Sequence, residues 1–447
     1  MSDLDYVVAY SGGRDSHVLL HTLYTLRLNS GNQFPRNQFK LRAIHVNHGL
    51  QSASKDWADH CQAICNDLNV PLTIIDLELQ IPPQQSLEKV ARERRYAAMA
   101  ATLQSNEVLV TAHTLNDQAE TFFLQALRGC GPRGLSGIHA FRKLGKGFLE
   151  RPFLSVSKEK IIAYSQQENL QWIEDPSNEN LKFSRNFLRH QIFPTLKKHW
   201  KGFEKCLVRS AQHCADTQEL LDSFLASTLE SIKGDRSNTL KISALKKLTS
   251  LQQQHLLGYW FQKCGVECPN SKKREEILRQ MLTAHAEQQP CVQWGNYEVR
   301  RYQDLLYLFT VSPEKMDLTD LVLEWDLKQH LSLPNGSQLQ GRLTQGKGLK
   351  VTKLSNKGLK VCFRKGGEKC HRSGDVGSRP LKKILQDLQV PPWERAQIPL
   401  LYIEDTLIGV GDLFICHEWQ VNDPHEEGIT PIISPLISQS DESSVSI

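Results

Sequence analysis

Between Tyr6 and Leu127 the chain alternates four times between short, β-rich apolar runs and longer segments of helical period, and no other feature constrains the fold as strongly. The apolar runs lie at 6–10, 41–46, 72–77 and 108–111. They are too continuously apolar for half-exposed strands, so they read as strands buried on both faces. Helices are expected over 16–28, 54–69, 87–104 and 116–127. This alternation predicts an α/β fold, a doubly wound parallel sheet with its ligand chemistry at the carboxyl ends of the strands.

The remaining length holds more than this sheet, since 447 residues make roughly three domains. From 188 to 314 the pattern is amphipathic helix, with strand-like stretches only at 291–294 and 305–309. From 318 onward, short apolar runs at 359–363, 400–403 and 406–410 are separated by Gly and Pro, which suggests a small α+β domain. We therefore divide the chain into an α/β domain at 1–200, a mainly helical domain at 201–315, an α+β domain at 316–433 and a Ser-rich, acidic tail at 434–447 expected to be disordered.

Composition excludes several classes. With 40% hydrophobic and 23% charged residues, the chain is neither collagen-like nor a coiled coil, nor disordered throughout. It has no run of 18 apolar residues, hence no spanning helix, and Met1-Ser2-Asp3-Leu4-Asp5 lacks the basic start of a secretory signal; a cytoplasmic protein with no membrane partner is expected. Eleven cysteines, odd in number and without a recurring framework, read as reduced thiols. Cys61/Cys65 and Cys264/Cys268 share a spacing of four, but neither pair has a second pair of zinc-site spacing beside it.

The net charge of +5 conceals an asymmetry. Between Arg342 and Arg395 there are 14 Lys and Arg against 4 Asp and Glu, a local +10 that leaves −5 for the rest. Such a segment is either a solvated basic face or a patch for an anionic polymer, in which Lys382 and Lys383 would meet phosphates.

The first strand runs into Ser11-Gly12-Gly13-Arg14-Asp15-Ser16 and then a helix. Two glycines let backbone N–H groups close on an anion while the helix points its positive end at it, so this loop is expected to bind phosphate. The lysine of a Walker loop is missing. Asp15 and Ser16 can serve a Mg²⁺ held by nucleotide oxygens. Further along, Thr111-Ala112-His113-Thr114-Leu115-Asn116-Asp117-Gln118-Ala119-Glu120 leaves a strand and enters a helix. This brings His113, Asp117 and Glu120 to the same cleft, although carboxylates there would equally serve as helix caps. Glu88 and Arg92 are spaced to pair on a helix. A glycine-rich basic loop carries Arg128, and Arg185 and Arg189 stand one turn apart, able to clamp a phosphate or carboxylate.

The string Ser-Gly-Gly-x-Asp-Ser after the first strand resembles the pyrophosphate loop of the N-type ATP pyrophosphatases, the PP-loop family. Taken with Arg128-Gly129-Cys130-Gly131, Arg151-Pro152-Phe153, Glu174-Asp175-Pro176-Ser177-Asn178 and Arg185-Asn186-Phe187-Leu188-Arg189, the chain resembles the tRNA(Ile)-lysidine synthetases within that family. Phe363-Arg364-Lys365-Gly366-Gly367 and Pro391-Pro392-Trp393-Glu394-Arg395 extend the likeness to the long bacterial form with its C-terminal domain. The chain departs from the pattern at Ser86, where many relatives carry Asn. The resemblance implies a ligase. ATP adenylates the wobble cytidine of an isoleucine tRNA, releasing diphosphate, and the side-chain amine of free L-lysine displaces AMP. It further implies that Ser11 to Ser16 hold ATP, with Asp15 near Mg²⁺. His113, Asp117 and Glu120 would arrange cytidine and lysine, and Arg128, Arg185 and Arg189 would meet phosphates; a homodimer is compatible with it. Two alternatives stay open, a tRNA thiolase of the same fold and a nucleic-acid-binding scaffold with a degenerate loop.

Overall fold

A computed structural model describes residues 4–33, 39–47, 54–77, 87–285, 288–311, 317–327, 329–354 and 358–435. They form two compact units, Met1–Thr228 and Leu229–Ile447. The first is built on β1 (Asp5–Ala9), α1 (Arg14–Gln33), β2 (Leu41–Asn47), α2 (Ser54–Asp67), β3 (Leu72–Asp76), α3 (Leu87–Ala101), β4 (Glu107–Val110), α4 (Leu115–Leu127), α5 (Pro132–Leu135), β5 (Phe141–Leu144), β6 (Gly147–Glu150) and α6 (Lys158–Gln167). The sheet order is β3-β2-β1-β4-β6-β5, parallel throughout except for the edge strand β5. Tyr6 of β1 has Leu41 on one side and Val108 on the other. The chain therefore reverses its direction of winding between β1 and β4, and a crevice opens there beyond the strand ends.

Both faces of this sheet are covered. Val8, Leu20, Ala43, Cys61, Cys65, Val108 and Val110 pack on one side, and Val7, Ile44, Met99, Leu103, Leu109 and Leu149 on the other. Because neighbouring residues in a strand face opposite ways, a stretch with a core on each side is apolar at successive positions, which is why β1 after Asp5 and β4 after Glu107 appear as unbroken runs. The α2 cysteines are part of this packing. Burial pushes the Cys61 and Cys65 thiols up to about 12, so they fill space as neutral apolar groups.

In the second unit, helices Ser250–Lys263 and Ser271–Thr283 accompany a four-stranded antiparallel sheet. Cys291–Trp294 and Leu305–Thr310 fall where strands are expected, and Thr239–Lys241 and Tyr297–Tyr302 complete the sheet. The residues that follow form antiparallel sheets of five, four and two strands with short helices, an α+β arrangement weighted toward β. Helix Leu381–Asp387 buries Leu381 and Leu385 against Val390, Leu400 and Val410 and leaves Lys382 and Lys383 exposed.

Two expectations are corrected. The tail does not begin at 434, because strand Glu427–Pro435 continues through that point and pairs Ser434 with Gln338 and Pro435 with Ser337; 436–447 lie outside the described residues. Nor are all the cysteines reduced, since Cys370 and Cys416 form a disulfide. These two are 46 positions apart, and the segments that carry them meet at an isolated antiparallel bridge between Arg372 and Cys416, so no local spacing reveals them.

Candidate active site

The phosphate loop closes on itself through Ser16. Its hydroxyl accepts from Ser11 N–H at 3.2 Å and donates to the Gly13 carbonyl at 2.9 Å. Gly12 has φ +79°, and a Cβ there would lie 3.0 Å from Cys61 Sγ, so both backbone conformation and space demand glycine. The segment after α6 straps this turn: Ile173 N–H donates to Gly12 carbonyl oxygen at 3.0 Å. Arg14 is taken up by the same strap. Its guanidinium lies 4.7 Å over the Trp172 ring and donates to Glu174 at 3.3 Å. The first-turn N–H groups of α1 remain for an anion.

Asp15 faces the crevice. One carboxylate oxygen is engaged by the ammonium of Lys158, the first residue of α6, and the other is buried with no partner among the described residues. An unpaired hard oxygen beside an anion-binding loop suits a Mg²⁺ ligand.

The second half of the site is the start of α4. Thr114 and Asp117 form a capping box: Thr114 N–H and hydroxyl donate to Asp117 Oδ2 at 2.8 and 2.9 Å, and Asp117 N–H returns to the Thr114 hydroxyl at 3.4 Å. Asp117 Oδ1 accepts from Arg189 at 3.3 Å, so this residue both caps the helix and belongs to the charged cluster. Arg189 grips Glu120 with two bonds of 2.8 and 2.9 Å, and Arg185 donates to the Thr121 hydroxyl at 3.0 Å. Glu120 is 1% exposed, and burial raises its carboxyl above the usual range even with Arg189 beside it. Burial also acts to raise Asp117, but the Thr114 N–H, His113 and Arg189 outweigh it and hold this carboxyl low.

His113 stands between these groups, its Nδ1 2.9 Å from the Thr111 hydroxyl. Burial pulls the imidazole down to about 4; Asp117 opposes the shift, and Arg151, Arg92 and Arg185 add to it. The ring is therefore neutral at pH 7 and can lie among arginines without repulsion.

The structure thus brings together Asp15, His113, Asp117, Glu120, Arg185 and Arg189, with Arg92 within electrostatic reach of His113. Arg128 is not among them. It caps the other end of α4, roughly 17 Å from Asp117 along the axis, and is exposed. Glu88 lies on α3, but its side chain and Ser86 are outside the described residues. Lys382 and Lys383 lie in the second unit. The glycine-rich loop is pinned to α4 by Gln118, whose Oε1 accepts from Ile138 N–H at 2.6 Å; Gly137, at φ +70°, leaves room for that side chain. Sequence reasoning missed Lys158. Its one sequence signal is a lysine opening a helix, against the helix dipole.

A parallel sheet with this loop at its switch point defines a PP-loop ATP pyrophosphatase. In agreement, the PP-loop domain profile matches residues 2–196, the TilS substrate binding domain 240–307 and the TilS substrate C-terminal domain 359–430. The tRNA(Ile)-lysidine synthase of Coxiella burnetii (strain RSA 493 / Nine Mile phase I) is 39% identical over 94% of this chain and 91% of its own length. That of Serratia proteamaculans (strain 568) is 38% identical over 93% and 92%, and that of Proteus mirabilis (strain HI4320) 38% over 95% and 94%. The chain belongs to the tRNA(Ile)-lysidine synthase family.

Proposed function

We propose that the protein joins free L-lysine to the wobble cytidine of an isoleucine tRNA at the expense of ATP, in the cytoplasm, and so changes the tRNA's codon and amino-acid identity from methionine to isoleucine. The observation that carries this reading is the meeting, at the β1/β4 switch, of an anion-binding loop with the Asp117–Arg189–Glu120 cluster. A phosphate site beside buried carboxylates suits the adenylation of a base followed by attack of an amine.

In the first step the cytidine 2-oxygen attacks the α-phosphorus, the bond to the β-phosphate breaks, and diphosphate leaves. Ser11 to Ser16 cradle the phosphates through the loop and the α1 terminus. Asp15 would hold Mg²⁺, which offsets charge on the leaving diphosphate. In the second step the lysine side-chain nitrogen attacks C2, and AMP leaves with its electron pair. Asp117, held ionised, and Glu120 supply the negative charge that places the lysine ammonium and receives its proton. Neutral His113 orients the base by hydrogen bonding, and Arg185 and Arg189 meet phosphate. Arg92, Arg128, Lys382 and Lys383 serve the tRNA backbone, as does Glu88 through its spacing to Arg92. The domains divide the work, with chemistry in 1–200 and tRNA binding in 201–315 and in the α+β domain from 316, whose last described strand runs to Pro435.

A tRNA thiolase is the weaker alternative. Cys61 and Cys65 are apolar core and Cys130 donates to Gln125 at 3.1 Å, so these thiols have other employment. Mass spectrometry of tRNA nucleosides after incubation with ATP and lysine tests the proposal. A lysine-sized increment on cytidine, absent when lysine is omitted and lost in Asp117→Ala, supports it; no increment from the wild-type protein refutes it.

A further inference from the structure

The phosphate loop lacks the lysine that a Walker loop places beside the β- and γ-phosphates. From 143 residues away, α6 brings one to the same place: Lys158 pairs with Asp15, the loop's own acid. We infer that Lys158 is a diphosphate-contacting residue, doing from α6 what a P-loop lysine does from within its loop. This deepens the proposed function and rests on it.

Three observations carry the assignment. First, the amino ends of three helices meet here: Lys158 N–H donates to Asn116 in the first turn of α4 at 3.0 Å, Leu115 N–H to the Val156 carbonyl at 2.9 Å, and the Lys158 ammonium reaches the first turn of α1. Second, a lysine at this point opposes three helix dipoles at once, an arrangement that costs stability unless an anion joins it. Asp15 supplies only one such charge, whereas ATP supplies several. Third, the Lys158 side chain is 37% exposed and Asp15 23%, so the pair is open in part to solvent and to an incoming ligand. During adenylation the bond between the α-phosphorus and its bridging oxygen breaks, and the electron pair stays on diphosphate. The Lys158 ammonium meets that charge without giving up its proton.

A role confined to neutralising Asp15 is separated from direct contact by measuring inorganic diphosphate binding calorimetrically, without Mg²⁺, in five proteins: wild type, Lys158→Met, Lys158→Arg, Asp15→Asn and the Lys158→Met/Asp15→Asn double variant. Direct contact predicts that Lys158→Met weakens diphosphate binding tenfold or more both in the wild-type protein and on top of Asp15→Asn, with Lys158→Arg restoring most of it and thermal midpoints measured for each protein. If the double variant binds diphosphate as well as Asp15→Asn alone, Lys158 acts only through Asp15 and the inference is overturned. The readout is independent of tRNA and lysine. A wild-type protein that binds diphosphate through Lys158 but forms no lysidine would sink the proposed reaction and leave this assignment standing.

Discussion

The pH response of His113 offers a quantitative test of the site's electrostatics. Its imidazole is pulled from 6.5 to about 4 by burial, so the folded protein resists a proton that the unfolded chain accepts. The stability this residue allows is complete above pH 6.5 and is lost as pH falls from there toward 4. Linkage with these two values gives a negligible penalty at pH 7 and one of about 2 kcal/mol at pH 5. The perturbation is His113→Gln, which keeps a polar side chain but cannot titrate. Urea unfolding of both proteins at the two pH values reads this term together with the part His113 plays in holding Asp117 low. Wild type should lose about 2 kcal/mol more than the variant between pH 7 and 5. Parallel losses would mean that His113 has an ordinary affinity for protons, and the account of a neutral imidazole among Arg92, Arg151 and Arg185 would fail with it.

Other perturbations probe separate parts of the site. Arg189→Ala leaves Glu120 buried without its cation; since Arg189 is itself 38% exposed, we expect a loss of about 2 kcal/mol in chemical denaturation, below the usual range for a fully buried pair, and incomplete rescue by Arg189→Lys, which cannot bind both oxygens in a planar fork. Gly12→Ala should cost roughly 1–2 kcal/mol for the left-handed backbone alone and should weaken ATP binding at least tenfold in equilibrium dialysis; unchanged ATP affinity would contradict the loop's geometry. Reversing Lys382 and Lys383 to Glu should weaken tRNA binding and flatten its salt dependence by about two charges' worth while sparing ATP, as read by filter binding across a salt series.

The sheet was legible because of its burial on both sides. Val7 and Val8 face opposite cores, so β1 has no polar position after Asp5, and Val108, Leu109 and Val110 of β4 are all buried. The edge pair β5 and β6 carries Arg142, Lys143 and Glu150, and nothing in so polar a stretch announces a strand. The same contrast runs through the site. Asp117 and Glu120 are three apart on one helix, a spacing that by itself puts them on one face. That Arg189 would take Glu120 as its partner, and Lys158 would take Asp15, depends on how α4, α6 and the segment after it cross, which no local pattern encodes. The disulfide between Cys370 and Cys416 was hidden for the same reason.

Asp117 shows why weighing capping against chemistry at a helix start is a false choice. One of its oxygens closes the capping box with Thr114 and the other meets Arg189. The cap fixes the rotamer, and a fixed rotamer aims the remaining oxygen at Arg189, so the local bond that stabilises α4 also orients Asp117 in the cluster. Asp15 follows the same logic at α1, with one oxygen held by Lys158 and the other left unpaired. The two oxygens of each acid are thus in different settings, Asp117's on Thr114 and Arg189, Asp15's on Lys158 and at a buried position unpaired among the described residues. The strands β1 and β4 are adjacent in the sheet, and both acids lie within electrostatic reach of Arg189. The amino ends of α1, α4 and α6, with Arg185 and Arg189, supply positive potential beside the carboxylates of Asp15, Asp117 and Glu120, so the site offers complementary charge to an anionic group and to an ammonium alike.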